Sequence, residues 1–382
     1  MLFAVKCART FTHSGIETDS YVVVEDGTIQ AITKREPKGM QVHTFPNLSL
    51  LPGFIDIHIH GRHGSDVMDA TSESLQTISN ALPATGVVAW VGTTVTAPMP
   101  EILRALENVK AYLPQQDRCG AQLLGSFLEG PYFTETNRGS HPTSFLKPAN
   151  IEELELLLAA ADKSLLRVAL APETEGAMDC IEWLKARNIL VSIAHTDANY
   201  DQVTEAFHKG ADCGVHLFNG MSGLHHREPG CAGAVLFHDM LAELIADGIH
   251  VNPVMMQLAY RMKSYRGIAL ITDCMRAGGL DDGDYQLGAQ MVQVRDGQAR
   301  TKCGSLAGST CSLNQAVRNM IFKAGVPEWE AVQMASAVPA SYLGIEDRLG
   351  AVAVGMDASF TLVDSDLNVH RTIIDGEWVY QS

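Results

Sequence analysis

Pro52-Gly53-Phe54-Ile55-Asp56-Ile57-His58-Ile59-His60 is a turn pair, a short apolar run and two histidines in succession. The run Phe54–Ile59 reads as a buried strand, and alternation along it puts His58 and His60 on the same side. Seven further short runs follow it: Val87–Val91, Leu123–Leu128, Leu166–Leu170, Leu190–Ala194, Gly214–Val215, Leu241–Ala246 and Ile268–Thr272; Gly214–Val215, the sixth of the eight, is the weakest. Between them lie stretches with helical spacing, such as Ile151–Ala161, Met178–Arg187 and Tyr200–Lys209. Strands alternating with helices imply parallel βαβ units, and eight of them between residues 51 and 349 fit an α/β fold, the (β/α)8 TIM-like barrel. A doubly wound sheet would ordinarily use fewer units.

Outward from that middle, both ends of the chain read as β. Tyr21–Val24, the turn Glu25-Asp26-Gly27-Thr28 and Ile29–Thr33 form one hairpin signal. Ser359–Val363 is a strand candidate, and Thr372–Ile374, Asp375-Gly376 and Trp378–Tyr380 form another hairpin. Residues 1–50 plus 350–382 are therefore expected to build a small β-sandwich domain from both termini, with 51–349 as the catalytic barrel. A third hairpin, Met291–Val294, Asp296-Gly297 and Ala299–Thr301, reads as an insertion after the eighth strand, and the Met and Leu positions of Met255–Leu258 read as helix core.

Composition bounds the function. The chain has 382 residues, 46% hydrophobic, and a formal charge of −16 from 28 basic and 44 acidic side chains. A field of that sign argues against nucleic acid or an anionic membrane as a partner, and an anionic substrate would need a local basic pocket. No run is long and apolar enough for a membrane span, and Met1–Lys6 lacks the charged and apolar regions of a secretory leader. Eight irregularly spaced cysteines with no CxxC pair suit reduced thiols in a cytoplasmic protein.

Barrel enzymes keep their chemistry at the C-terminal ends of the strands. There the sequence places His58 and His60 at the end of run one, Glu129 after run three, His195 after run five, His216 after run six and Asp273 after run eight. Imidazoles and carboxylates without thiolate suit a divalent metal, Zn2+ foremost, with Fe2+, Mn2+ or Co2+ as alternatives. His225-His226-Arg227 is a cationic run in an acidic chain, and the backbone N–H groups of Asn219-Gly220 could cap a phosphate oxygen.

These strings, with Leu128-Glu129-Gly130-Pro131, Gly139-Ser140-His141, Ala194-His195-Thr196, His216–Met221, His226–Gly230, Ile245–His250, Thr272-Asp273 and Leu306–Ser309, resemble the amidohydrolase superfamily. Within it the chain is similar to the N-acetylglucosamine-6-phosphate and N-acetylgalactosamine-6-phosphate deacetylases. The resemblance runs in order over nearly the whole sequence. It implies Glu129, His195 and His216 as ligands of the principal metal, Asp273 as general acid/base and His141 as the group that stabilises the oxyanion. It implies substrate contacts from Ser140, Asn219, Gly220, Arg227, the loop Asp247, Gly248, Ile249 and His250, and the loop Leu306, Ala307, Gly308 and Ser309. Arg227 would reach the neighbouring subunit's site, which implies a homodimer. Some members of the family lack the histidine pair; here His58 and His60 leave room for a second metal bridged by Glu129, the alternative being simple hydrogen bonding in the barrel mouth.

The implied reaction is metal-dependent hydrolysis of the N-acetyl group of a phosphorylated amino sugar, N-acetylglucosamine 6-phosphate in the first place and N-acetylgalactosamine 6-phosphate as the alternative. A cyclic-amide hydrolase is disfavoured because run four ends Leu170-Ala171-Pro172-Glu173, without the lysine such enzymes place there. A non-catalytic member should have lost ligands, and none is missing.

Overall fold

The computed structural model describes residues 1–382. Eight parallel strands form the middle: Phe54–Ile59, Val87–Thr93, Gln122–Glu129, Leu165–Leu170, Leu190–Ile193, Cys213–Gly214, Leu241–Ile245 and Ile268–Ile271, paired in that order. The first and last meet through the Asp273 N–H, which donates to the His58 carbonyl at 2.9 Å, and through a bridge between Ile59 and Cys274. Buried Asp56 reinforces this seam by accepting from the Thr272 hydroxyl at 2.5 Å. Each strand is followed by a helix: Ser72–Ala81, Met99–Tyr112, Ile151–Ala161, Ala177–Lys185, Tyr200–Lys209, Gly230–Phe237, Pro253–Lys263 and Leu313–Phe322. The fold is a (β/α)8 barrel. Its sixth strand is only two residues long, in line with the weakness of that run.

The two termini meet in a separate sheet. Gln41–Pro52 pairs parallel with Leu2–Thr12 and antiparallel with Phe360–Val363, and hydrogen bonding is continuous through eight strands. Phe3, Val5, Val22, Leu50, Phe360 and Ile373 fill its core. The three Asp-Gly pairs read as hairpin turns do close hairpins, with both residues at positive φ as a two-residue type I′ loop requires: Asp26-Gly27, Asp296-Gly297 and Asp375-Gly376. One residue, Gly53, joins this sheet to the barrel. A Cβ there would lie 2.3 Å from a Val88 methyl, so only glycine lets the chain pass.

Two details differ from the sequence reading. The insertion after strand eight has three strands, Gly283–Leu287, Gln290–Arg295 and Gln298–Thr301, because Gly283–Leu287 pairs with the front of the hairpin. In the helix Pro253–Lys263, Met256 is buried but Leu258 is 45% exposed. With Val254 and Met262 it forms an outward stripe at i, i+4, i+8 spacing, because the buried side of that helix is carried by Met256 and Ala259.

Candidate metal centre and active-site cavity

The chemistry converges just past the strand ends. His195, His216 and Asp273 each sit two residues beyond a strand and hold left-handed backbone, with φ of 45°, 34° and 48°. Such conformations are unfavourable for side chains other than glycine and recur where a site imposes them. Here they turn the side chains out of the strand direction and into the barrel mouth. The mouth holds a cavity of about 380 Å³ lined by His60, Glu129, His141, His195, His216 and Asp273, among others.

Three donors face one another at its floor. His195 Nε2 and His216 Nε2 are 3.2 Å apart, and they lie 3.5 and 3.3 Å from Glu129 Oε1. A tetrahedral ion with bonds of about 2.0–2.1 Å separates its donors by about 3.3 Å, so the spacing is that of a coordination shell. The ring orientations agree. His195 Nδ1 is 2.9 Å from the Asn137 carbonyl and His216 Nδ1 is 3.0 Å from the Asn219 carbonyl. A carbonyl only accepts, so Nδ1 is the donor in each ring and Nε2 turns inward. Two inward lone pairs at that distance repel unless a cation lies between them. The donor set fits a divalent cation, and orienting bonds of this kind are what metal-ligating histidines make.

A second group adjoins the first. His60 Nε2 lies 3.2 Å from Glu129 Oε2 and 3.1 Å from Asp273 Oδ1. His58 Nε2 lies 3.5 Å from Glu129 Oε1 and 3.6 Å from Asp273 Oδ1, fully buried and without a hydrogen-bond partner. The ligand atoms of His58, His60 and Asp273 fall within 4.8 Å of one another, as do those of Glu129, His141 and His195.

The electrostatics express the same pull toward positive charge. Burial opposes ionisation of Glu129, yet His58, His195 and His216 hold its carboxyl well below the usual range. Burial would also raise Asp273, but the hydrogen bond from His60 and the charges of His58 and His60 bring it down to about 2. His60 moves the other way: burial lowers it, and hydrogen bonds to Asp273 and Glu129 outweigh that and push it up to about 10. His141 differs from both. Burial and the neighbouring His195 hold it well below the ordinary imidazole value, so it stands neutral, with Nδ1 2.7 Å from the Thr96 hydroxyl and Nε2 3.1 Å from His195 Nε2.

The residues expected to touch substrate divide. Ser140, Asn219, Gly220, His250, Leu306 and Gly308 line the cavity. Gly220 has φ of 58°, and a Cβ there would press to 2.7 Å from His195 Nδ1, so this position must stay bare. Asp247 acts through its neighbour, accepting from His250 Nδ1 at 2.6 Å, while Gly248 and Ile249 are exposed beside it. Ala307 is buried in the core of the insertion. Ser309 braces the Asp273 loop, donating its N–H to the Asp273 carbonyl at 2.7 Å and its hydroxyl to the Thr272 carbonyl at 2.5 Å. Arg227 is exposed, hydrogen-bonded to His226, and outside its own chain's cavity.

Several residues of the site were not singled out from sequence. Arg300, on the insertion, is the one arginine that lines the cavity, and Leu287 and Val95 supply apolar wall. Below the floor, fully buried Arg167 and Glu243 form an ion pair at 2.6 Å. Their signal was present: one charge in each of two apolar runs, Leu165–Leu170 and Leu241–Ile245, must be paired if both strands are buried.

A protein-family model, the amidohydrolase family, matches residues 49–379, and the chain belongs to that family of hydrolases. Its relatives narrow the comparison. The chain is 45% identical to an N-acetylglucosamine-6-phosphate deacetylase of Vibrio furnissii, over 96% of this chain and 92% of that protein. It is 43% identical to an N-acetylgalactosamine-6-phosphate deacetylase of Escherichia coli O157:H7, over 99% of each. Among solved structures, a mutant N-acetyl-D-glucosamine-6-phosphate deacetylase of Mycobacterium smegmatis in complex with N-acetyl-D-glucosamine-6-phosphate superposes with a TM-score of 0.94. That match is 28% identical and covers 100% of both chains.

Proposed function

We propose that this protein hydrolyses the N-acetyl group of N-acetylglucosamine 6-phosphate to glucosamine 6-phosphate and acetate. The observation that carries the reading is the juxtaposition of the Glu129–His195–His216 donor triangle with an ionised Asp273, in a cavity of sugar size, within a chain whose relatives bear that activity in their names. The galactosamine epimer is the second reading, favoured by the relative at 43% identity.

Glu129, His195 and His216 would hold the principal cation, and imidazole and carboxylate donors without thiolate make Zn2+ the first choice. When bound, such an ion lowers the pKa of a coordinated water toward neutrality and polarises a carbonyl. Asp273, ionised and beside the donors, is placed to take a proton from the attacking water and return it to the leaving amine nitrogen. His141, neutral and buried, can present an N–H to the acetyl oxygen where negative charge develops. Asn219 and Gly220, with His250 oriented by Asp247, contribute donors for the sugar and its phosphate. Exposed Arg227 suits a contact across a homodimer, where its planar fork would meet the partner's phosphate. Reduced cysteines, six of eight of them buried, suit a cytoplasmic enzyme. We take 1–50 with 350–382 and 51–349 as the two folding units, a division supported by the pairing of strands from the two ends.

Acetate release by metal-quantified protein tests the reading, with N-acetylglucosamine 6-phosphate, N-acetylgalactosamine 6-phosphate and unphosphorylated N-acetylglucosamine side by side. A preference in kcat/KM for the glucosamine phosphate is the expected result. Preference for its epimer moves the assignment to the second reading, and no release from any of the three, with metal bound, overturns both.

A further inference from the structure

His58 is held differently from the other histidines of the cluster. The Nδ1 atoms of His60, His195 and His216 face backbone carbonyls, those of Thr93, Asn137 and Asn219. His58 Nδ1 instead faces the Glu243 carboxylate, 3.0 Å from Oε2. The other oxygen of Glu243 accepts from Arg167 at 2.6 Å. Strands four and seven, which carry these two, are not neighbours in the sheet, so the contact crosses the barrel interior.

Arg167 is anchored in turn. It donates to the Ile57 carbonyl at 3.1 Å and to the Ser192 hydroxyl at 2.9 Å, and its guanidinium lies 4.1 Å from the centre of the Phe127 ring. The same ring meets His58 edge-on at 5.1 Å. Both charged side chains are wholly buried. A buried pair of this kind is weak evidence for stability, since apolar residues of similar volume often do as well. What it does achieve here is to fix one imidazole at both ring position and tautomer, and to aim its unpartnered Nε2 at Glu129 and Asp273. A carboxylate behind an imidazole also makes it a stronger donor than a carbonyl does.

We propose that Glu243, held by Arg167, is the positioning residue that makes His58 a metal ligand, so that this buried carboxylate sets how tightly the His58–His60–Asp273 side of the cluster holds a divalent cation, without acting on the side formed by Glu129, His195 and His216. The inference rests on reading the cavity as a cation site, and is independent of which sugar it accepts. The carboxylate sets the occupancy of one half of the cluster, and the other half rests on carbonyl-anchored His195 and His216.

The test counts cations. Metal-free protein is titrated with Zn2+ against a competing chelator, and the cations per chain are counted by elemental analysis. The wild type should bind two, in two affinity classes. Arg167→Met combined with Glu243→Leu removes both charges together, so neither is left buried alone. It should weaken one class about 10- to 100-fold and leave the other unchanged. His58→Asn should weaken the same class, and adding it to the pair variant should produce no further loss. Glu243→Gln, which keeps an acceptor for Nδ1, should recover part of the affinity.

Two classes untouched in the pair variant would overturn the proposal, as would a single cation in the wild type. No cation in the wild type would instead overturn the metal reading beneath it. Should the pair variant fail to fold, 113Cd NMR of cadmium-loaded wild type, His58→Asn and Glu243→Gln decides. Two wild-type resonances, the one lost in His58→Asn also shifted in Glu243→Gln, support the proposal, and one resonance, or two that Glu243→Gln leaves in place, overturns it.

Discussion

The barrel has a cavity at each end, and the larger one is not the one that gathers the histidines and carboxylates. At the N-terminal ends of the strands a recess of about 960 Å³ opens among Leu190, Asp212, Leu241 and Gly267, walled by Phe237, Met262 and Trp329. At the C-terminal ends the cavity is about 380 Å³ and holds the histidine–carboxylate cluster. The difference is one of convergence rather than size. Past the last paired residue of each strand the backbone is free to turn, and at His195, His216 and Asp273 it does so into left-handed conformations that aim side chains inward. At the other end helices run into strands, and two of the titratable groups there are tied up locally. Asp212 accepts from the Tyr342 hydroxyl at 2.7 Å, and Lys263 donates to the His238 carbonyl at 2.5 Å.

Substitutions can break that contrast, and the largest effect should come from Glu129. Glu129→Gln removes the carboxylate that every inward histidine of both groups faces except His141. Hydrolysis should fall to background with cation content below the wild-type value, measured by elemental analysis beside acetate release. Asp273→Asn is the sharper probe. It should keep the cation at Glu129, His195 and His216 and lose about 10²–10⁴ in kcat, the usual share of general acid–base catalysis. Near-normal turnover would remove Asp273 from the role of base.

Arg227→Ala should act on binding more than on chemistry. Loss of a charged hydrogen bond, about 1.5–3 kcal/mol, corresponds to roughly a 10- to 100-fold rise in KM for the phosphorylated sugar. The unphosphorylated sugar should change little, and equal losses on both would reject the phosphate role. The smallest effect belongs to the opposite end. Phe237 is 70% exposed there, and Phe237→Ser should leave kcat/KM unchanged and shift stability by no more than about 0.5 kcal/mol in a denaturant titration. A loss of turnover would mean that the larger recess takes part in the reaction after all.

Much of the fold was legible because its signals are local. Each apolar run that reads as a strand overlaps an observed one, down to the frail sixth, and the helices Ile151–Ala161 and Tyr200–Lys209 have the predicted bounds. Asp-Gly turns carry their own geometry. The first strand of the insertion was missed because Gly283–Leu287 alternates polar and half-buried residues over a small core, with little apolar contrast to read. Leu258 was misplaced because periodicity reveals a stripe but not which way it faces.

The cluster was legible as a list and not as an arrangement. Histidines and carboxylates at strand ends announce a cation because those residue types, at those positions, have few other reasons to converge. That His195 and His216 turn their Nε2 atoms toward one Glu129 oxygen while His60 meets the other is a property of the closed barrel.

The sequence by itself determined the order of elements, the hairpins at both termini and the kinds of donor at each strand end, since all of these follow from side-chain chemistry and backbone preference within a few residues. Only the tertiary structure decided that Arg167 and Glu243, 76 residues apart, meet across the barrel beneath His58, and that Arg227 stays outside its own chain's cavity while Arg300 lines it. Those outcomes depend on how far each strand is staggered and where each loop crosses the mouth. Such distances are set by the packing of the whole sheet and its helices, and no local pattern encodes them.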